Sequence, residues 1–443
     1  MMKFSLPNKL NNFIPQKYYK STPNIAESKS PKQKENHNTT TIWSLFNLIL
    51  LSLSLCLILA LTINSRHKLL SPLLSSREQL QPLKEAKKSH EVFGFAPYWT
   101  FDKLDNVDYS TLTTFAYFGI EVLRDGTLDT TGPGYDTFMS EKATTTFRKA
   151  HSFGTRVVLT VTQMDSDNLD ALLTDQTAQK HAIDEIVSLV KARGIDGVNV
   201  DFEYDGNPAQ SYSQAYTDFL AQLNSQLKQS IPNSQLTISV YASAAKATRL
   251  YDIAAIAPHV DGIFMMAYDF YSAGADNAMP TAPLNGAKNG KYSYDIATAV
   301  DDFLKKIPAE KLILGVPYYG YSYLMYEPKP FTETRPAYSW RGKPAAQTIA
   351  YVSENVTADK TGWDNDGKVA WQAHYTADTD TWRMIFLEDE KSLGIKYDFA
   401  KSKGLKGVGM WALGFDDGTS KYWALLKEKF GTKLADSRAI QAN

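Results

Sequence analysis

The eight residues from Asp196 to Glu203 read Asp-Gly-Val-Asn-Val-Asp-Phe-Glu. In an extended strand alternate residues share a face. Asn199, Asp201 and Glu203 therefore line one side, and Val198, Val200 and Phe202 the other. An apolar face of that kind suits burial beneath helices, which turns the polar face into an interior. Two carboxylates and an amide enclosed together are costly unless paired or used. An ionised Asp201 beside Glu203 disfavours a second negative charge, so Glu203 keeps its proton near neutral pH. A protonated carboxyl at the open end of a strand is what a general acid requires. A D-x-E pattern alone is more often a surface or structural acidic cluster, and here the alternation with Val, Val and Phe favours the catalytic reading.

Such a strand needs a scaffold that opens at its C-terminal end. From Glu91 onward, short β-branched and aromatic runs alternate with helical patterns, the mark of repeated βα units. The candidate strands span residues 92–99, 112–122, 156–163, 197–204, 236–243, 262–271, 311–321 and 407–414. Between them lie amphipathic stretches such as QKHAIDEIVSLVKARG, stopped by Gly194, and SQAYTDFLAQLNSQLKQS. Eight strands with helical crossovers predict an α/β fold, a (β/α)₈ TIM barrel over residues 91–432. A doubly wound open sheet is the alternative, but it usually has a Gly-rich phosphate loop after its first strand, and FGFAPYW has none. Residues from about 323 to 386 break the rhythm. They are rich in Tyr, Trp, Thr and Asp, with strand-like pieces IAYVSENV, KVAWQAHYT and TWRMIFLE. This predicts a small, mostly β, α+β insertion after strand seven that walls one side of the barrel mouth.

The carboxylate strand resembles the fourth strand of family-18 glycoside hydrolases, the chitinase-like barrels, whose motif is D-G-x-D-x-D-x-E. The match holds at Asp196, Gly197, Asp201 and Glu203 and departs at Asn199, where the commonest form has Asp. The N-x-D-x-E form is similar to the branch containing spore-cortex and peptidoglycan N-acetylglucosaminidases. Met265-Met-Ala-Tyr-Asp269, Gly315-Val-Pro-Tyr-Tyr-Gly320 and Gly409-Met-Trp-Ala412 also look like family segments, in the right order.

Two carboxylates on one face of one strand cannot flank a sugar ring as acid and nucleophile do in an ordinary retaining glycosidase. The resemblance supplies the missing nucleophile, the substrate's own 2-acetamido oxygen. It implies Glu203 as acid and then base, Asp201 orienting the acetamido group and stabilising the oxazolinium, and Tyr268 donating to that group. It further implies Trp411 as the floor under the reacting sugar. Met266, Asp269, Tyr98, Trp99 and Tyr319 are expected to bind substrate, with Asn199, Asp196 and Gly197 in support. The implied partner is an N-acetylglucosamine-containing glycan, with no cofactor and no metal. Seven scattered histidines, with no HExxH and no Cys/His cluster, agree with that expectation.

The N-terminal region predicts a location. Residues 42–63 (IWSLFNLILLSLSLCLILALTI) carry no charge and reach about 33 Å as a helix, enough to cross a bilayer. The preceding tail holds Lys3, Lys9, Lys17, Lys20, Lys29, Lys32 and Lys34 against Glu27 and Glu35, which keeps residues 1–41 cytoplasmic. A cleavable signal peptide would need an unusually long n-region, and no A-x-A site follows. The expected organisation is a disordered tail, a transmembrane signal anchor, a linker over 64–90, an extracytoplasmic barrel and a disordered end over 433–443. Cys56 is the only cysteine, so no intrachain disulfide forms. A net charge of −1 gives no electrostatic reason for a nucleic-acid partner.

Two rivals remain at this stage. One is a non-catalytic, lectin-like barrel at the cell surface, although relatives of that kind usually lack the acid at the Glu203 position. The other is a barrel for phosphorylated metabolites, which would want polar anion donors where the chain has GVGMWALG.

Overall fold

Eight of the β-branched and aromatic runs form parallel strands, because each is buried on both faces and β-branched side chains fit the pleat. They are β1 (Glu91–Pro97), β2 (Thr114–Glu121), β3 (Arg156–Gln163), β4 (Gly197–Phe202), β5 (Gln235–Tyr241), β6 (Gly262–Met266), β7 (Leu312–Pro317) and, after an excursion, β13 (Gly407–Trp411). The computed structural model describes residues 90–206, 212–247 and 249–431. In it these strands close into a barrel in the order β1-β13-β7-β6-β5-β4-β3-β2. The expected tail, anchor and linker, and the C-terminal end, lie outside the described residues. Among the described residues, no helix is long and apolar enough to cross a membrane.

The sequence reading overshoots most strands at their C-terminal ends, by two to five residues at strands one, four, five, six and eight. Those tails carry the β-branched and aromatic pattern past the end of the ladder, and they include Glu203, Tyr268 and Asp269. The helices follow the amphipathic stretches closely: Gln176–Arg193 ends at Gly194, which adopts φ 62°, and Ser213–Ser230 matches its predicted span.

The barrel interior is divided. Phe93, Phe95, Phe118, Phe264 and Ile313 form an apolar half, with Phe95 edge-on to Phe264 at 4.9 Å. Gly315 and Gly409 make room for it, since a Cβ at either would lie 2.4 Å from the Phe264 ring. The opposite half is polar, lined by buried Thr160, Asn199, Thr237 and Ser239. At the N-terminal end Thr114 donates to Glu91 (2.6 Å) and closes the floor.

The insertion begins earlier than expected. Strand seven does not run on to residue 321. The chain turns out of the barrel after Pro317, and β8 (Tyr319–Met325) already belongs to a second, antiparallel sheet. That sheet adds β9 (Ala345–Thr348), β10 (Lys360–Asp364), β11 (Val369–Thr376) and β12 (Thr381–Leu387), in the order β10-β11-β12-β8-β9. IAYVSENV, expected as strand-like, is instead the helix Ile349–Asn355, started by the Thr348 side chain accepting from Tyr351 N–H. The segment between β6 and β7 is tied to this sheet by Lys291, which pairs with Asp364 and Asp366, and by Leu284 N–H donating to Gly367 (2.9 Å).

Gly197, the glycine of the motif, marks a close approach of two strands: a Cβ there would lie 2.0 Å from the Gln235 carbonyl oxygen on β5. Gly197→Ala therefore forces β4 and β5 apart and is expected to lower stability by about 1–3 kcal/mol. Urea or thermal unfolding checks this, and a wild-type midpoint would show that the strands part freely.

Candidate active site

The carboxylate strand is fixed at its base first. Asp196 Oδ2 meets His151 Nε2 at 2.7 Å and accepts from Val157 N–H at 2.7 Å, stitching β4 to β3 and to the helix Glu141–Ser152. Asp196 is therefore a structural clamp at the closed end, remote along the strand from Glu203. Val198, Val200 and Phe202 pack outward, Phe202 against Tyr216 and Phe219 of the helix Ser213–Ser230. Asn199 points inward and is held at both ends. Its Nδ2 donates to Ser239 (3.0 Å) and its Oδ1 accepts from Thr237 (2.9 Å).

Asp201 comes next on the same face and is 3% exposed. Its Oδ1 is buried with no hydrogen-bond partner. Glu203 lies just beyond the ladder, half-buried at the rim, its N–H donating to Gln163 O at 2.9 Å. Burial, and then the Glu203 charge, push the Asp201 carboxyl well above its usual range. Burial raises Glu203 too, reinforced by Asp269 and Asp205, while a hydrogen bond from Tyr241 opposes the rise.

The surroundings of the two carboxyls differ. Asp201 is deeper, its Oδ1 lacks a hydrogen-bond partner, and Asn199 spends its amide on β5. Glu203 has partial solvent access and the Tyr241 phenol.

Strand β6 brings a second group of residues to the mouth. Met266 and Tyr268 pack on the apolar half of the interior, and the chain turns at Asp269 with φ 56°. Burial, followed by the charge of Asp201, raises the Tyr268 phenol and keeps it a neutral donor. Asp269 Oδ1 accepts from Tyr319 (2.5 Å), Tyr321 (3.0 Å) and Thr281 (3.1 Å), which leaves Oδ2 free of all three. The surrounding protein raises the Asp269 carboxyl even against these donors, although part of the side chain reaches solvent.

Trp411, at the end of β13, lies edge-on to Phe118 (4.7 Å) and 5.5 Å from Phe95, closing the apolar half from above. Trp99, half exposed, stands 6.4 Å from Trp411 in the short helix Tyr98–Lys103. Tyr98 is partly buried against the core and Tyr319 is buried with its hydroxyl on Asp269. Both were expected to line the cleft; Tyr319 also supports Asp269 from the insertion sheet. Among the described residues no cluster of His, Cys, Asp or Glu is placed to hold a metal ion.

Three contributing residues escaped the sequence reading: Tyr241, Tyr321 and Thr281. The first was legible. Gln235, Thr237, Ser239 and Tyr241 alternate along β5, and extending the register that pairs Val200 with Ile238 brings Tyr241 beside Glu203. The other two come from the insertion and the β6–β7 segment, and no local pattern announces them.

A closed parallel barrel with a buried acid pair at the C-terminal mouth, floored by a tryptophan, is the arrangement of a glycoside hydrolase. The chain belongs to the glycosyl hydrolases family 18, whose sequence profile matches residues 75–416. It is 26% identical over 299 residues to mouse di-N-acetylchitobiase, covering 63% of this chain and 78% of that one. A sporulation-specific glycosylase of Bacillus subtilis is 26% identical over 297 residues, 64% of this chain and 62% of that protein. Among solved structures, a family-18 chitinase from Cycas revoluta aligns with a TM-score of 0.65 at 20% identity, over 77% of this chain and all of that one. The spore cortex-lytic enzyme of Bacillus megaterium aligns at 0.59 and 18% identity, over 77% and 74%.

The raised Asp201 carboxyl has a stability consequence. Between the ordinary aspartate value and the raised one, the folded protein binds more protons than the unfolded chain, so stability falls as pH rises through that interval. Asp201→Asn removes the penalty. Its stability relative to wild type is expected to grow as pH rises from about 4 through neutral. Thermal unfolding of both proteins across that range checks this, and a pH-independent difference would contradict it.

Proposed function

We propose that this enzyme hydrolyses β-glycosidic bonds of N-acetylglucosamine-containing glycans with retention, using the substrate's 2-acetamido oxygen as nucleophile. The observation that carries the proposal is the unpartnered Oδ1 of Asp201, buried beneath Glu203 on the same face of one strand. No second carboxylate of this strand can reach the far side of a sugar ring, and an enzyme-held acceptor without a donor fits an incoming amide N–H.

The steps follow. The reacting pyranose lies on Trp411, its acetamido N–H donating to Asp201 Oδ1 and its acetamido oxygen accepting from Tyr268. The N–H bond and the positive charge that develops in the oxazolinium both favour ionised Asp201. Substrate binding thereby leaves the pair's proton on Glu203. Glu203 gives that proton to the glycosidic oxygen as the acetamido oxygen attacks C1 and the glycosidic bond breaks. The resulting carboxylate then takes a proton from water, whose oxygen attacks C1 and reopens the oxazolinium. Tyr319, Tyr321 and Thr281 hold Asp269 beside Tyr268.

The relatives support this substrate class. One is a di-N-acetylchitobiase, and the Cycas chitinase structure contains (GlcNAc)₃. The charge-free run over 42–63 and the lysine-rich tail before it support a single-pass membrane anchor with the barrel outside. That location favours envelope glycan or scavenged oligosaccharide over crystalline chitin. The sporulation-specific and spore cortex-lytic relatives agree with an envelope target.

Glu203→Gln is expected to lower kcat by at least about 10²–10⁴-fold while KM for a chromogenic N-acetylglucosaminide oligomer stays within about threefold. Normal turnover by this variant would remove Glu203 from the acid role. Separately, an oligomer with free amines in place of its 2-acetamido groups is expected to resist cleavage, as followed by product chromatography, and efficient release of its products would refute substrate assistance.

A further inference from the structure

The insertion presents an aromatic surface that the proposed reaction does not use. After β8 the chain forms a tight hairpin, with Tyr338 bridging Gly342 and Gly342 at φ 82°. Two rings project from it, Tyr338 at 54% and Trp340 at 59% exposure, with planes within 7° of parallel and centroids 6.3 Å apart. They are not loose. The Arg341 guanidinium, on a side chain 8% exposed, lies over both, at 4.9 Å from the tyrosine and 4.5 Å from the tryptophan. Arg341 is itself fixed, its Nη1 donating to Pro336 O (2.9 Å) and its carbonyl accepting from Arg383 of β12 (3.2 Å). The device recurs nearby, where Arg335 lies over exposed Tyr326 at 5.1 Å and donates to the carbonyl of Asp380, the residue before β12.

An arginine beneath an aromatic pair is held by cation–π attraction and fixes the rings while leaving their other surfaces to solvent. Orienting two large rings outward forgoes their burial, a cost of the kind that marks an interaction site. The composition of the hairpin selects the occupant. Pro336, Ala337, Ser339, Gly342 and Lys343 supply no long aliphatic side chain. A bilayer or an apolar protein surface would want Leu, Ile or Phe beside the rings. Flat aromatic faces flanked by a hydroxyl and a cation suit a ligand that alternates C–H faces with hydroxyl edges. The parallel planes suit a ligand that extends as a ribbon.

We propose that Tyr338 and Trp340 form an auxiliary glycan-binding platform that holds polymeric N-acetylglucosamine-containing substrate at a distance from the reacting bond. This rests on the substrate class proposed above. The test uses the full-length protein carrying Glu203→Gln, so that bound polymer stays intact, and measures retention on insoluble chitin and on purified peptidoglycan. Adding Tyr338→Ala and Trp340→Ala together is expected to weaken retention on at least one polymer about tenfold, while Trp340→Phe restores most of it. With Glu203 intact, the double variant is expected to cleave a chromogenic disaccharide at the wild-type kcat/KM.

Undiminished retention would overturn the platform while leaving the substrate class standing. An equal loss on the disaccharide would place the rings in the catalytic cleft and also overturn it. If the parent protein bound neither polymer and wild type cleaved no N-acetylglucosaminide, the substrate class itself would fail. Weaker binding to vesicles of anionic phospholipid by the double variant, with polymer retention unchanged, would assign the hairpin to membrane and refute the glycan reading.

Discussion

Two carboxyl groups lie two residues apart on one buried strand, both raised by burial, and the rest of the site answers to that constraint. The forces acting on Asp201 and Glu203 are burial and neighbouring acids, opposed by one phenol. Both carboxyls are thereby held above the usual carboxylate range. In the proposed mechanism a bound amide and a growing positive charge favour an ionised Asp201 and leave the proton on Glu203.

The barrel makes this arrangement stable by dividing its interior. The polar half accommodates Asn199 by saturating it from β5, so that the amide acts as a neutral spacer rather than a proton partner. The apolar half is built around Phe264, admitted by two glycines on neighbouring strands, and ends in Trp411 at the mouth. The mouth thus has an apolar floor on one side and the two carboxyls on the other. Tyr251 adds rigidity where it counts: its hydroxyl donates to the carbonyl of Phe202, the residue between the two acids, and its ring contacts Tyr241 at 5.9 Å.

The insertion does more than enclose the cleft. Its first strand leaves the barrel two residues after β7 and sends Tyr319 and Tyr321 back to Asp269, so a catalytic-wall carboxyl is held from a different sheet. Tyr323 of the same strand reaches the carbonyls of Ser272 and Met279, and Lys291 answers from the β6–β7 segment with Asp364 and Asp366. Tyr241, Tyr292, Tyr319 and Tyr321 serve as neutral donors beside acids, which follows from a phenol keeping its proton where an ammonium would add charge.

Period-two alternation was enough, from the sequence alone, to orient the carboxylate strand, because burial of Val198, Val200 and Phe202 leaves the acids one direction to face. The same physics made the eight strands, the two long helices and the family legible, since each depends on contacts within a few residues or on a local motif. Alternation along β5 also contained Tyr241, though it went unread. Tertiary structure alone decided the rest. Where strand seven ends, why IAYVSENV is helical, that Tyr319 donates to Asp269, and that Asp201 lies buried with an unpartnered Oδ1 all depend on partners far away in the chain. Such partners set local burial and local donors, and a pKa or a strand end responds to those surroundings rather than to its own neighbours in sequence.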